Sequence, residues 1–443
     1  MDDAYGKRGT IMRRNSEMST DQLILYHYPP SPWAQKITNF LAVSGTSYTE
    51  CKQPMVMPRS DLSLLGISYR RIPLIAVGKD VYCDTRLILD RLVGGMGQVP
   101  VEGVKDLDRW RANAGLARGL EFWSGTKIFP IAPLTFPPSF PIFKNKQFLK
   151  DREAFSGRSW QPEHLAKVRP GALAEFKAYV DIIENEVLAD GRDWVLGTEN
   201  CGMGDVQLSW VVDWVINGLG ATKGLIDQDT HPKTCAWLSR FRKAVTDGTA
   251  TIKRTSIKGE EAKAKILASN TFADVQHDKN DPQLGDCVGQ DVSVVPEDTG
   301  RSHPQVGKLV AANSGEVVVE VQVPSGEGAI RVHFPRIGFR VVKGGKDAKL
   351  KAFRLPRYTP AAPAFLTESR KTEPWFSWQR AGGGHRAASS SRAHNRKFTS
   401  SSPPNPTTPQ RRRARKSTRL QDANNHGVYV TARAKPKTRK PLP

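Results

Sequence analysis

Apolar and polar positions change their period three times along this chain. Leu23-Ile24-Leu25-Tyr26-His27-Tyr28 is a short apolar and aromatic run that predicts a strand, and Pro29-Pro30 stops it. Ser31 then precedes Pro32, and residues 33–43 carry Ile37, Phe40 and Leu41 at helical spacing. A Ser at the N-cap followed by Pro at the first helical position predicts a helix start, and Gly45 predicts its end. A second strand is expected near 47–52, then a loop or short helix around Pro54 and Pro58. Residues 72–77 read as a strand, Gly78-Lys79-Asp80 as a tight turn and Val81-Tyr82 as the returning strand. Asp84-Thr85 then caps a helix with Leu87, Ile88, Leu89 and Leu92 on one face.

From 105 the period becomes helical. Leu107, Trp110, Ala114, Leu116, Ala117, Leu120 and Phe122 predict one amphipathic helix. Prolines at 130, 133, 137, 138 and 141 make residues 128–143 an irregular loop. Residues 165–188 predict a long helix, 205–219 a helix buried almost all round, and Pro232 opens another that runs through Trp237, Phe241 and Val245. After about 285 the period falls to two. Runs at 292–295, 306–311, 317–323, 329–334 and 338–342, separated by Gly, Ser and Pro turns, predict a small antiparallel β module, barrel-like in plan. Residues 1–20 and 355–443 show neither period and are expected to be disordered. The expected organisation is therefore a leader (1–20), an α/β domain (21–95), an all-α domain (105–265), the β module (285–345) and a basic tail (355–443).

Composition changes this picture mainly at the tail. The chain has 443 residues and a formal net charge of +22. From Tyr358 onward about 18 Lys and Arg face about 3 Asp and Glu, so the charge says little about the folded part. Arg411-Arg412-Arg413-Ala414-Arg415-Lys416 reads as a solvated tail, a nuclear-import signal or a nucleic-acid patch, and no aromatic residue interrupts it. Cys51, Cys83, Cys201, Cys235 and Cys287 are odd in number and widely spaced, which excludes a disulfide framework or a Cys/His metal site and points to a reducing compartment such as the cytoplasm. A membrane span needs roughly 18 or more apolar residues in a row, and the most apolar stretch, 206–216, is broken by Gln207 and Asp213.

Three places could carry chemistry. The Ser31 hydroxyl stands at a helix N-terminus, where free N–H groups and the dipole favour an anion such as a thiolate. A thiol of pKa about 8.5 needs roughly 2.7 kcal/mol of preferential thiolate stabilisation to move two units down. Ile72-Pro73 at a strand head would, with a cis bond, leave main-chain groups open to a peptide-like ligand. Asp84 and Thr85 offer a carboxylate for a ligand ammonium and a hydroxyl with helix-end N–H groups for a carboxylate. Each alone is also an ordinary cap or edge proline.

Taken together, Ser31-Pro32-Trp33, Arg70-Arg71-Ile72-Pro73-Leu74-Ile75 and Asp84-Thr85 with Ile88-Leu89 resemble the N-terminal domain of soluble glutathione transferases, most closely the serine-type classes. The resemblance implies a thioredoxin-like fold over about 70 residues, and the helices that follow are similar to the family's all-α second domain. It implies a transferase in which Ser31 stabilises the thiolate of glutathione, Ile72 pairs with its cysteinyl backbone, Asp84 and Thr85 hold the γ-glutamyl end, and Arg71 meets the glycine carboxylate. Glutathione would be a co-substrate, with no cofactor or metal, and the second substrate a hydrophobic electrophile. A homodimer is open. Trp110, Phe122, Trp123 and Trp214 could line the electrophile pocket or serve as core. Tyr26 or Tyr28 could replace Ser31 as thiol donor, and Cys83 could form a mixed disulfide or be a small buried hydrophobe. Asp-Thr stands where the family has Glu-Ser, and Gly202 stands where its second domain has Ser or Thr three residues before Asp205. The loop over 128–143 and the β module lie outside the two-domain plan, and such long forms resemble fungal glutathione-transferase-like proteins. The alternative is a non-catalytic scaffold acting through the β module or the tail.

Overall fold

The computed structural model describes residues 22–344; the expected leader and basic tail lie outside the described residues. The first apolar run forms β1 (Ile24–His27), and the Ser-Pro start opens α1 (Pro32–Val43). Then come β2 (Tyr48–Lys52), the single-turn α2 (Ser60–Ser63), the hairpin β3 (Leu74–Val77) and β4 (Asp80–Cys83), and α3 (Thr85–Val93). β1 pairs with β2 in parallel and with β3 antiparallel, and β4 closes the hairpin. Side chains alternate across a strand. Leu23, Leu25, Ile75 and Tyr82 accordingly pack on one face with Ile37 and Phe40 of α1 and Ile88 of α3. Ile24, Tyr26, Leu74, Ala76 and Val81 lie on the opposite face.

The helical region comprises α4 (Leu107–Arg111), α5 (Ala114–Trp123), α6 (Lys146–Ser156), α7 (Pro162–Ile182), α8 (Met203–Asp213) and α9 (Pro232–Thr251). The single helix expected over 107–122 is broken in two, because Asn113 takes a left-handed conformation at φ 54° and begins α5 anew. Helix α6 was not anticipated; its apolar content is low and its start follows the proline-rich loop, itself folded into short 3₁₀ turns at Ala132–Thr135 and Pro141–Lys144. Helix α8 is buried along almost its whole length, as its sequence predicts. Its buried Asp205 accepts from the N–H groups of Gly202 and Val195 and from Trp237 Nε1, each at 2.9 Å. The missing side chain at Gly202 thus removes only half of the expected cap.

After α9 the chain adds β5 (Arg254–Ser256), which pairs with the β2 edge, and α10 (Gly259–Ala268). Neither was visible as a periodic segment. The β module is β6 (Asp291–Pro296), β7 (Gln305–Ala312), β8 (Glu316–Gln322), β9 (Ala329–Pro335) and β10 (Phe339–Lys343), with β10 returning to pair with β6. It does not stand apart. β9 pairs in parallel with β4, so one ten-stranded sheet runs β10-β6-β7-β8-β9-β4-β3-β1-β2-β5. Val294, Val319, Ile330 and Phe334 join Ile24, Tyr26 and Leu74 in a single core, together with Ala262 and Ile266 of α10. The face of the α/β domain left bare by the single-turn α2 is covered by the module.

Candidate functional site

Strand directions bring the three candidate segments to one end of the sheet. Tyr26, near the end of β1, lies opposite Leu74 at the start of β3, and Leu74 lies opposite Cys83 at the end of β4. Ser31 follows β1, Ile72-Pro73 precedes β3 and Asp84-Thr85 follows β4, so all three leave the sheet at the same edge.

Ser31 is the buried N-cap of α1, accepting from Ala34 N–H at 3.3 Å. Its hydroxyl proton has no acceptor among the described residues. The Ile72-Pro73 bond is cis. The Ile72 main chain enters no ladder, and neither its N–H nor its C=O is paired among the described residues. Asp84 sits at φ 70°, a region that Asn and Asp tolerate better than other side-chain-bearing residues, and caps α3 by accepting from Arg86 N–H at 3.1 Å. Thr85 is 3% exposed, and its Oγ1 is buried without a partner among the described residues. A buried hydroxyl left unpaired calls for an explanation, and a ligand group is one.

Arg71 is already engaged. Its guanidinium donates to the Thr299 carbonyl at 2.7 Å through Nη2 and at 3.2 Å through Nε, and pairs with Asp298. Asp84 lies 3.9 Å away. The loop between β6 and β7 therefore holds the side chain that the sequence offered to a ligand carboxylate.

The aromatic candidates separate. Trp110 packs edge-on against Phe40 and donates its indole N–H to the Lys105 carbonyl at 2.9 Å, in the core between α1 and α4. Phe122 lies 4.4 Å beneath the Arg86 guanidinium, which is itself bonded to Glu121 at 2.9 and 3.0 Å. Trp123 meets Tyr179 at 5.9 Å. Trp214 belongs to a cluster with Phe129 and Phe136, at 6.2 and 5.6 Å. Phe129 reaches Trp33 at 4.8 Å, two residues beyond Ser31. Tyr26 is fully buried, and burial raises its phenol pKa well above the usual range. Tyr28, just before Ser31, is half-buried. Cys83 is fully enclosed, and burial pushes its thiol up, away from the reactive thiolate.

Two features were missed in the sequence. Lys36 is 1% exposed with no hydrogen-bond partner for its amine among the described residues, and the amine lies 5.7 and 5.5 Å from the Trp33 and Trp210 rings. Burial lowers its pKa to about 8. Its place three residues after Trp33, on the buried side of α1, was a signal available in the sequence. The second is a cluster of arginines around Asp151, assembled from segments far apart in the chain, which left no local signal. Among the described residues no group of three or more His, Cys, Asp or Glu is placed to hold a metal, and no helix is long and apolar enough to cross a membrane.

Residues 25–95 match the glutathione S-transferase N-terminal domain family, and residues 131–250 match a domain of unknown function, DUF7962. Among solved structures, a GST-like protein from Pseudomonas syringae is 22% identical with a TM-score of 0.54; the alignment covers 73% of this chain and 100% of that one. A glutathione S-transferase from Sinorhizobium meliloti is 20% identical over 52% of this chain and 92% of its own, with a TM-score of 0.40. A glutathione transferase family member from Pseudomonas fluorescens, solved with two glutathione molecules bound, is 17% identical over 52% and 93%, with a TM-score of 0.38. Comparison with curated proteins gives no match. The fold is thus a thioredoxin-like N-terminal domain of the glutathione transferase kind, a helical region in the place of that family's second domain, and a β module.

Proposed function

We propose that this chain is a glutathione transferase-like enzyme that binds glutathione at the Ser31, Ile72 and Asp84-Thr85 edge and directs its thiolate to a hydrophobic electrophile. The observation that carries the reading is the set of unmet polar groups at one sheet end: the free hydroxyl proton of Ser31, the open main chain of Ile72 and the buried, partnerless Thr85 hydroxyl. A peptide laid along Ile72 would complete its hydrogen bonds as an added strand does. Its amino-acid end would reach the Asp84 carboxylate and the Thr85 hydroxyl at the start of α3. Its thiol would then lie by Ser31, where a hydroxyl donor and the first N–H groups of α1 favour the anion. The match of residues 25–95 to the N-terminal domain family supports this placement. Catalysis would come from a larger thiolate fraction and from holding two reactants together. The aromatic run Trp33, Phe129 and Trp214 offers the electrophile an apolar wall beside α1.

Calorimetry with glutathione, paired with a chromogenic electrophile, tests the reading on the full chain and on Ser31→Ala. A hydrogen bond to a charged group contributes roughly 1.5–3 kcal/mol. The bound thiol pKa should therefore rise by about one to two units in Ser31→Ala, and turnover near neutral pH should fall about 10- to 100-fold while glutathione still binds. Absence of binding to the unaltered chain at millimolar glutathione would overturn the proposal.

A further inference from the structure

Beside this edge lies a group of cations that the proposed reaction does not use. Arg59 follows β2, Arg70 stands just before Arg71, and Arg152 belongs to α6; among the described residues one carboxylate, Asp151, lies in the group, and it pairs with Arg70 and Arg152. Arg70 Nη2 donates to Asp151 Oδ1 at 2.9 Å, and Arg152 Nε donates to Oδ2 at 3.1 Å. Met57 N–H also donates to Oδ1, at 3.2 Å. Arg59 is 3% exposed, yet no carboxylate of the described residues pairs with it. Among the described residues its guanidinium donates only to the carbonyls of Pro54 and Arg70 and to the sulfur of Met57. Arg70 is 4% exposed, and its Nε has no partner among the described residues.

The cluster thus holds three positive charges against one negative, in a place where a bare charge is strongly disfavoured. Burial and the neighbouring arginines lower the Arg59 pKa to about 10. Burial, then Arg70, lowers that of His303. The surroundings come from three segments: the 54–59 loop, α6, and the 300–305 loop, which Gly300 N–H ties to the Phe155 carbonyl at 3.0 Å. Tyr28 and His303, both half-buried, border the cluster, and the Tyr28 ring lies 5.9 Å from Arg59.

We infer that Arg59, Arg70 and Arg152 form an oxyanion site, filled by a phosphate or carboxylate group that takes the unpaired donors of Arg59 and Arg70. Guanidinium forks suit such anions because they offer paired donors in one plane. The site adjoins Arg71 and Tyr28, so the anion has two sources: the acidic end of a ligand seated at Ile72, or a free inorganic ion. The site itself does not depend on the glutathione reading.

The test is calorimetry and thermal shift of the full chain with inorganic phosphate at constant ionic strength. Saturable one-to-one binding with a Kd below about 10 mM is expected. Arg152→Gln and Arg59→Gln should weaken it at least about tenfold, the loss of one charge-assisted pair. Asp151→Asn should tighten it several-fold, because it removes the competing internal carboxylate and keeps its shape. Because these changes act in opposite directions, a general loss of fold cannot imitate them. No saturable binding, or binding unaffected by Arg152→Gln and Asp151→Asn, overturns the inference. Phosphate that competes with glutathione but not with its glycine ethyl ester identifies the ligand's own carboxylate as the source. Competition with neither identifies a free anion, and both results support the site. Failure of glutathione to bind overturns the reaction proposed above and leaves the phosphate result to decide this inference.

Discussion

His333→Leu should detach the β module from the thioredoxin-like sheet. His333 lies on β9, where β9 meets β4, and is fully buried and stacked on Tyr82 at 4.3 Å. Its Nε2 is 2.8 Å from Asp80 Oδ1 and its Nδ1 is 2.7 Å from Glu316 Oε2. Both nitrogens donate to carboxylates only if the ring is protonated. Asp80 also accepts from Ala273 N–H, Glu316 from Gln98, and Arg91 donates to the Tyr82 hydroxyl. Burial acts to lower the imidazole pKa, but the two carboxylate bonds outweigh it and raise the value. Removing the cation leaves two carboxylates buried without it. Breaking a buried pair in this way costs about 3–5 kcal/mol. The sign with pH follows from the raised pKa: the contribution is complete below the unfolded value of about 6.5 and is lost as pH rises through the folded value. Urea unfolding followed by far-ultraviolet circular dichroism, with hydrogen exchange at the β9 amides, should show the largest difference between unaltered chain and variant near pH 6. That difference should shrink toward pH 9. Replacing Asp80, Glu316 and His333 together by apolar residues should recover most of the loss, since no bare charge then remains. A loss under about 1 kcal/mol at pH 6 in His333→Leu, or a difference that stays flat to pH 9, would refute the reasoning.

Two further outcomes follow from buried groups. Asp205→Ala strands three donors, the N–H groups of Val195 and Gly202 and the Trp237 indole. At about 1–3 kcal/mol for each stranded donor, with partial relaxation, the chain should lose about 3–5 kcal/mol in urea unfolding. A loss under 1 kcal/mol would mean that water or rearrangement satisfies them. Lys36→Met should have the opposite sign. Burial lowers the amine from 10.5 to about 8, so the folded state binds fewer protons and the lysine opposes folding below that range. Each unit is about 1.4 kcal/mol, which gives a gain of about 3 kcal/mol at pH 7 that should disappear above pH 10. Equal stability of Lys36→Met and the unaltered chain at pH 7 would show that the Trp33 and Trp210 rings fully compensate the amine.

Local chemistry made much of the first 95 residues readable. Ser31-Pro32 announces α1, the Gly78 turn sets the hairpin and Asp84-Thr85 opens α3, because caps and turns act between neighbours in sequence. The same short-range rules located β6 to β10 to within a residue or two. They also placed the long, strongly periodic helices α7, α8 and α9, and failed at the Asn113 kink and at α6, whose signals are weak. The convergence of Ser31, Ile72 and Thr85 was implied by the family resemblance but is established by strand pairing, since it depends on β1, β3 and β4 ending at one edge.

Contacts across hundreds of residues were beyond the sequence. Nothing near Arg71 announces that Asp298 and Thr299 will hold it, and nothing near Arg59 announces Arg152. The His333 bond to Asp80 and the parallel pairing of β9 with β4 likewise join segments about 250 positions apart. By itself the sequence determined the strongly periodic or capped elements and the residue types at the candidate site, since those follow from propensity, capping and period. The tertiary structure alone decided which donors are left free, which charges are buried together and which face of the sheet the β module covers. Those properties depend on desolvation and on the pairing of groups that only the folded chain brings within a few ångströms.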